Sequence, residues 1–261
     1  LRAPDSASLQ ARIEAVVREA GALALKAREA SPKSWSKQGG SPVSDADIAV
    51  DNFLRERLMQ LAPDAGWLSE ETEDDRARLH APRIWVVDPI DGTRAFLSGR
   101  HDWSISVALV EDGRPAIAAI FAPVQDALYA AAAGAPTTRN GAVVTANPGS
   151  ILSGIRAAGP KPMLERLANQ ATDLVMEPKV FSLALRFARV AEGTLDLAFA
   201  SANSHDWDLA AADLLVHQAG GALTTFAGQT LVYNRADPLH GALVAAGRSR
   251  HEAFLALVGR I

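Results

Sequence analysis

The stretch Trp85-Val86-Val87-Asp88-Pro89-Ile90-Asp91-Gly92-Thr93 delivers two carboxylates, a glycine and a hydroxyl from the end of an apolar strand. Proline cannot donate to a strand ladder, so the chain is expected to turn where the two aspartates sit, and Gly92 lets backbone approach a ligand closely. Both carboxylates can then face one cation, which is the layout of a metal and phosphate site. An Asp-Gly pair by itself is usually no more than a turn. Here it keeps company with Ser69-Glu70-Glu71-Thr72, at the end of another apolar segment, and with His205-Asp206-Trp207-Asp208, at the start of a helix. Three acidic clusters at element ends call for a positive charge to hold them together.

The 261 residues suit one large domain or two modest ones, with ample length to bury a core. Hydrophobic residues make up 48% and the net charge is -4, which describes a globular protein without the basic surplus of a binder of nucleic-acid polymers. With no cysteine, disulfides, thiolate nucleophiles and zinc-thiolate sites are excluded. No apolar run approaches the ~20 residues of a membrane span and the start shows no signal-peptide core, so a cytoplasmic location is expected. Numbering begins at Leu1 and not at methionine, and a few residues are expected to precede it.

Working outward, helical spacing of Leu9, Ile13, Val16, Val17, Ala20 and Leu23 predicts a helix over 8–30, followed by a loop over Ser31 to Ser41 with Pro32, Gly39 and Gly40. Ser44 is expected to cap a second helix with Val50, Phe53, Leu54, Leu58 and Leu61 buried and Asp47 in its first turn. Trp67-Leu68 and Ile84 to Val87 read as strands, Ser104 to Val110 and Ala116 to Ala122 as a hairpin across Glu111-Asp112-Gly113-Arg114, and Ala127 to Ala133 as a further strand. Asn147-Pro148-Gly149-Ser150 divides the chain into an amino-terminal α+β half, 1–148, with most candidate metal ligands, and a carboxy-terminal half, 149–261, with Asp208 and the specificity residues. That second half alternates strands near 154–158, 174–176, 196–200, 222–226 and 242–246 with helices near 163–170, 182–192, 207–219 and 251–258, an arrangement of helices packed on sheets.

Glu70, Asp88, Asp91 and Asp208 offer hard oxygen ligands only, which select magnesium, manganese or calcium. Phosphate-ester hydrolysis is among the slowest uncatalysed reactions, and two metals can divide it, one activating water and one stabilising the leaving oxygen. Thr93 follows the glycine where a short helix can begin, so its amide and that of Gly92 can point at phosphate oxygens while its hydroxyl orients water. A covalent aspartyl-phosphate route places two aspartates two residues apart; Asp88 and Asp91 are three apart with proline between, which favours direct attack by metal-activated water.

With those clusters placed, the sequence closely resembles the inositol monophosphatase superfamily of lithium-sensitive, magnesium-dependent phosphatases over essentially its whole length. Trp85 to Thr93 fits the signature W-x-x-D-P-[IL]-D-G-T, and Trp207-Asp208, Ala210-Ala211 and Gly220-Gly221 fit W-D-x-A-A…G-G. The resemblance implies an α+β fold layered α-β-α-β-α, and a homodimer. It implies one magnesium on Glu70, Asp88 and the Ile90 carbonyl, a second on Asp88, Asp91 and Asp208, and a third, looser ion leaning on Glu70. Asp47 matches the aspartate that pairs with the motif threonine, here Thr93, to activate water, with Asp45 left as a solvated residue at the helix start. Ile90, Asp91, Gly92, Thr93 and Asp208 would also meet the phosphorylated substrate.

Gly40-Ser41-Pro42-Val43, Leu68-Ser69-Glu70-Glu71 and Phe121-Ala122-Pro123-Val124 look most like bacterial CysQ-type 3'(2'),5'-bisphosphate nucleotidases, which act on adenosine 3',5'-bisphosphate. Arg186 matches a lysine of that group that contacts nucleotide phosphate, and a guanidinium suits the task; a surface helix arginine is the plainer reading. Ala200-Ser201-Ala202-Asn203 lacks the glutamate that inositol and histidinol phosphatases use for substrate hydroxyls. Against the nucleotidases, Ile155 to Pro160 lacks a Ser-x-x-His signature, with Lys161 as a substitute. Inositol-1-monophosphatase or histidinol-phosphatase activity is the alternative, and a non-catalytic phosphometabolite-binding protein or a structural cation site are readings of another class. Glu71 is expected to tune the metal-water network, Trp85 and Trp207 to pack, and His205 to be satisfied by backbone or to meet substrate. The 31–41 loop is expected to close over the site, where Lys33 and Lys37 can reach an anion, or to leave those charges solvated.

Overall fold

The structure, a computed structural model, describes residues 6–37, 40, 42–170 and 173–258. In chain order its elements are α1 (Ser6–Glu29), β1 (Ser34–Ser36), β2 (Pro42–Ser44), α2 (Asp45–Leu61), β3 (Gly66–Ser69), β4 (Arg83–Asp91), α3 (Thr93–Leu97), β5 (Ser104–Glu111), β6 (Arg114–Ala122), β7 (Ala127–Ala132), β8 (Thr138–Arg139) and β9 (Ala142–Val143). The second half continues with β10 (Arg156–Ala158), α4 (Lys161–Ala168), β11 (Val175–Met176), α5 (Leu183–Ala191), β12 (Leu197–Ala200), β13 (Ser204–His205), α6 (Asp206–Gln218), β14 (Gly221–Thr225), β15 (Leu239–His240), β16 (Leu243–Gly247) and α7 (Arg248–Val258).

Strands β3 to β9 form one sheet in sequential order, parallel only between β3 and β4. A second sheet runs β11-β10-β12-β16-β14. Alternation along the strands sorts their side chains into layers. On one face of the first sheet Trp85, Val87, Ile105, Val107 and Phe121 pack against Leu9, Ile13 and Val17 of α1 and Val50, Leu54 and Leu58 of α2. On its other face Ile84, Val86, Ala108 and Ile120 meet α5 and α6, which bury Leu185, Phe187, Leu209 and Leu215 and reach Ala198, Leu223 and Ala245 of the second sheet. The far face of that sheet, with Leu197, Phe199, Val244 and Ala246, is covered by Leu164 and Leu167 of α4 and Phe254 of α7. The order is therefore α-β-α-β-α, and each large apolar side chain so buried contributes about 1.5–3 kcal/mol.

The β5–β6 connection is a two-residue turn in which Asp112 and Gly113 both take positive φ (48° and 73°), the geometry that matches strand twist. Two local readings change. The 31–41 segment is not all loop, since β1 pairs antiparallel with β2; Gly39 and Ser41 lie outside the described residues. The chain does not leave the sheet at Pro89: β4 continues to Asp91, which pairs with Ser104, after a register irregularity between Asp88 and Asp91. Proline removes one donor there, and the Ile90 amide turns to the Asp88 carboxylate (3.1 Å), so the acidic residues sit on a bulged strand and not in a free turn.

Candidate active site

The bulge brings the two aspartates of β4 to one end of the layers, beside the end of β3 and the starts of α2, α3, α5 and α6. Carboxylate oxygens of Asp88, Asp91 and Asp208 all lie within 4.8 Å of one another. Glu70 lies outside that trio but lines the same cleft, of about 260 Å³, with Pro42, Gly92, Thr93, Arg94, Lys179 and Phe181. A larger cavity, of about 720 Å³, opens beside α4 and α7 among Leu167, Phe199, Phe226 and Phe254; among the described residues no aspartate, glutamate or histidine lines it.

Each acid is fixed differently. Asp91 accepts from Ser182 Oγ (2.6 Å), the Ala184 amide (2.7 Å) and the Leu183 amide (3.1 Å), the unsatisfied donors at the start of α5. Gly92 makes that contact possible: its φ is 93°, and a Cβ there would lie 3.0 Å from the Ser182 nitrogen and 3.2 Å from the Asp102 carbonyl. Asp208, in the first turn of α6, accepts from the His205 amide at 2.6 Å. Asp47 accepts from the Ser44 amide at 2.8 Å and, through its other oxygen, faces the Thr93 hydroxyl at 3.1 Å. Thr93 Oγ1 is also 3.1 Å from the Ile90 carbonyl, so its one proton is shared between two acceptors. Glu70 meets Lys37 Nζ at 3.1 Å, and the same ammonium is 2.7 Å from Glu71.

Burial and mutual repulsion leave these acids reluctant to ionise. Desolvation, then Glu70, Asp91 and Asp208, hold Asp88 well above the carboxylate range; desolvation and Asp91 do the same to Asp208. Desolvation lifts Asp91 to about 6 against the hydrogen bonds from Ser182, Ala184 and Leu183, and lifts Glu71 to about 7 against the Lys37 bond. Desolvation also raises Asp47, with Ser44 and Thr93 opposing. A cluster of oxygen donors that repel one another without a compensating cation fits a hard divalent ion.

The structure thus brings together Asp47, Glu70, Asp88, Ile90, Asp91, Gly92, Thr93 and Asp208. Arg186 lies near enough to Asp91 to feel its charge but makes no hydrogen bond to these residues: it is buried, donating to the Phe199 carbonyl (2.9 Å) and the Val180 carbonyl (2.7 Å). Lys161 is exposed on α4 beside Glu165. His205 stacks on Trp207 with centroids 4.4 Å apart, and burial lowers its pKa, while Trp85 is fully buried in the core. Asp45 and Lys33 are exposed. Sequence reasoning missed Ser182, Arg94, Lys179 and Phe181. Ser182 carried a signal as the residue opening α5, but its bond to Asp91, 91 positions away, is a product of tertiary packing.

A sequence model of the inositol monophosphatase family matches residues 5–261. The chain is 33% identical over 226 residues to a histidinol-phosphatase of Mycobacterium tuberculosis, covering 82% of this chain and 84% of that protein. It is 31% identical to the 3'(2'),5'-bisphosphate nucleotidase CysQ of Salmonella typhimurium (78% and 85% covered) and 34% identical to an inositol-1-monophosphatase of Rhizobium meliloti (85% and 87%). Among solved structures, the inositol monophosphatase of Thermotoga maritima shares the fold with a TM-score of 0.80 at 23% identity, covering 95% of both chains. Layered fold, clustered carboxylates and these likenesses define a metal-dependent phosphoric monoester hydrolase acting on a small phosphorylated substrate. The chain belongs to the inositol monophosphatase family. Among the described residues no helix is long and apolar enough to cross a membrane.

Proposed function

We propose that this phosphatase uses magnesium and removes a phosphate from a 3'(2'),5'-bisphosphate nucleotide, adenosine 3',5'-bisphosphate foremost. The observation that carries hydrolysis, as against mere chelation, is the Asp47–Thr93 contact beside the acidic cluster, since neither side chain is needed to hold a cation. Glu70, Asp88, the Ile90 carbonyl, Asp91 and Asp208 would hold two magnesium ions, with a third leaning on Glu70. Bound there, such ions would supply Lewis acidity that lowers the pKa of water and offsets charge on the phosphoryl group. Asp47 takes the Thr93 proton into a hydrogen bond, which turns the Thr93 oxygen's lone pairs toward an attacking water. The raised pKa of Asp47 fits it to receive the proton that this water gives up through Thr93.

Arg94 and Lys179 support a substrate with a second anion. Arg94 reaches only the Gly40 carbonyl, at 3.5 Å, and Lys179 only the Phe181 ring, at 4.6 Å; both line the cleft, and neither has a carboxylate partner among the described residues. They take the place that Arg186 was expected to fill. Phosphate release from adenosine 3',5'-bisphosphate, inositol 1-phosphate, histidinol phosphate and fructose 1,6-bisphosphate tests the substrate. The bisphosphate nucleotide is expected to show the highest kcat/KM, and preference for inositol or histidinol phosphate overturns that choice while leaving the hydrolase intact. Relatives of all three specificities stand at 31–34% identity, so inositol or histidinol phosphatase activity is the second reading. A homodimer and a cytoplasmic location belong to the same proposal and rest on the resemblance.

A further inference from the structure

Asp51 lies one helical turn beyond Asp47 on α2 and is 3% exposed. One of its oxygens accepts from Ser69 Oγ in a short hydrogen bond, and the other accepts from Thr72 Oγ1 at 2.6 Å. Those two hydroxyls stand at either end of the turn that carries Glu70 and Glu71. The turn is braced further, since Ser69 Oγ accepts from the Glu71 amide (3.3 Å), Thr72 Oγ1 accepts from Trp67 Nε1 (3.3 Å), and the Glu70 amide donates to the Val87 carbonyl of β4 (3.3 Å). Asp51 has no cationic partner among the described residues, although burying an unpaired carboxylate is costly and its helix neighbours Val50 and Leu54 are wholly apolar and buried.

Residues four apart on a helix share one face. On that face of α2, Asp47 grips Thr93 and Asp51 grips the Glu70 turn, so one rigid helix spaces the hydroxyl from the carboxylate of the same cleft. We infer that Asp51 is a positioning residue, which through Ser69 and Thr72 fixes Glu70 against Asp88 and thereby sets the affinity of the cleft for a divalent cation. The inference rests on the reading of Glu70 as a metal ligand.

Calorimetric titration of the full chain with magnesium or manganese, together with metal-free thermal melts, tests it on Asp51→Ala, Asp51→Asn, Thr72→Val and Glu70→Gln. Partners that orient metal ligands are worth about 10–100-fold in affinity, so Asp51→Ala is expected to weaken binding about tenfold and Thr72→Val, which frees one of two bonds, about threefold. Asp51→Asn keeps a single acceptor and falls between them. In the Asp51 and Thr72 variants kcat at saturating metal returns to within about threefold of the parent, because the ligands themselves are intact. Should Glu70→Gln weaken binding while Asp51→Ala and Thr72→Val bind within twofold of the parent, the Asp51 inference is overturned and Glu70 stands. Unchanged binding in Glu70→Gln removes the ligand assignment instead. If Asp51→Ala does not fold, Thr72→Val decides alone, since it unpairs only one oxygen of Asp51.

Discussion

On the β4 side of the cleft Asp91 gives both oxygens to the start of α5, whereas on the β3 side Glu70 projects from a turn and, among the described residues, its carboxylate meets only the ammonium of Lys37. The first carboxylate is oriented by three donors from a helix that is itself packed between two sheets. The second is oriented at one remove, through the hydroxyls that Asp51 holds. Asp91, Asp88 and Asp208 are accordingly close enough to share a cation as they stand, and Glu70 is not one of that trio. One side of the site is built by the core, and the other is built by side chains that a cation can rearrange.

That contrast predicts unequal losses. Asp91→Asn is expected to lower kcat/KM roughly 10³-fold, about 4 kcal/mol of transition-state stabilisation, with no recovery at high magnesium. An amide offers one acceptor where three donors converge, so a lowered melting temperature should accompany the kinetic loss. Full activity regained at high magnesium would show that the β4 side is as adaptable as the β3 side. Thr93→Ala should lower kcat about 10²-fold, the scale of a proton-transfer group, while substrate binding is retained, and Thr93→Ser should restore most of it. If binding is lost with kcat, Thr93 serves the phosphate and not the water. Glu70→Gln should cost about tenfold at low magnesium and recover as magnesium is raised, the signature of a weakened ligand rather than a missing one.

How much of this could be read beforehand also divides along the two sides. Asp88, Asp91 and Thr93 were legible because they share one motif, and Asp208 because Trp207 and the alanines after it place it in the first turn of a helix. The layer order was reached through resemblance, whereas strand alternation located the strands themselves. Arg186 misled because it sits at a matching position on α5, yet its side chain faces carbonyls inside the fold, and helix periodicity does not say which buried neighbour a guanidinium will find. Lys179 and Phe181 were illegible for the opposite reason: they lie in irregular chain before α5, where no period exists to read. The Pro89 reading went astray because a proline can stay within a sheet at a bulge if the neighbouring amide finds another acceptor, here Asp88.

The smallest effect falls on Lys37. Its ammonium stands 2.7 Å from Glu71 and 3.1 Å from Glu70, in the part of the cleft where the family resemblance places a cation. Lys37→Met should therefore tighten magnesium binding a few-fold and destabilise the metal-free protein by under ~1 kcal/mol, since partly exposed ion pairs contribute little. The pH dependence gives the sign. Desolvation and Glu70 lift Glu71 from its ordinary 4.5 to about 7 although Lys37 opposes them, so between those values the folded chain holds a proton that the unfolded chain has released. Its contribution to metal-free stability declines as pH rises from about 4.5 to about 7 and is level above. Removing Lys37 lifts Glu71 further and carries that decline to higher pH, which metal-free melts between pH 6 and pH 9 will register as a steeper fall than in the parent. Parallel melting curves across that range would mean that Lys37 is not bound to Glu71 in solution, and that the β3 side is looser than its ion pairs imply.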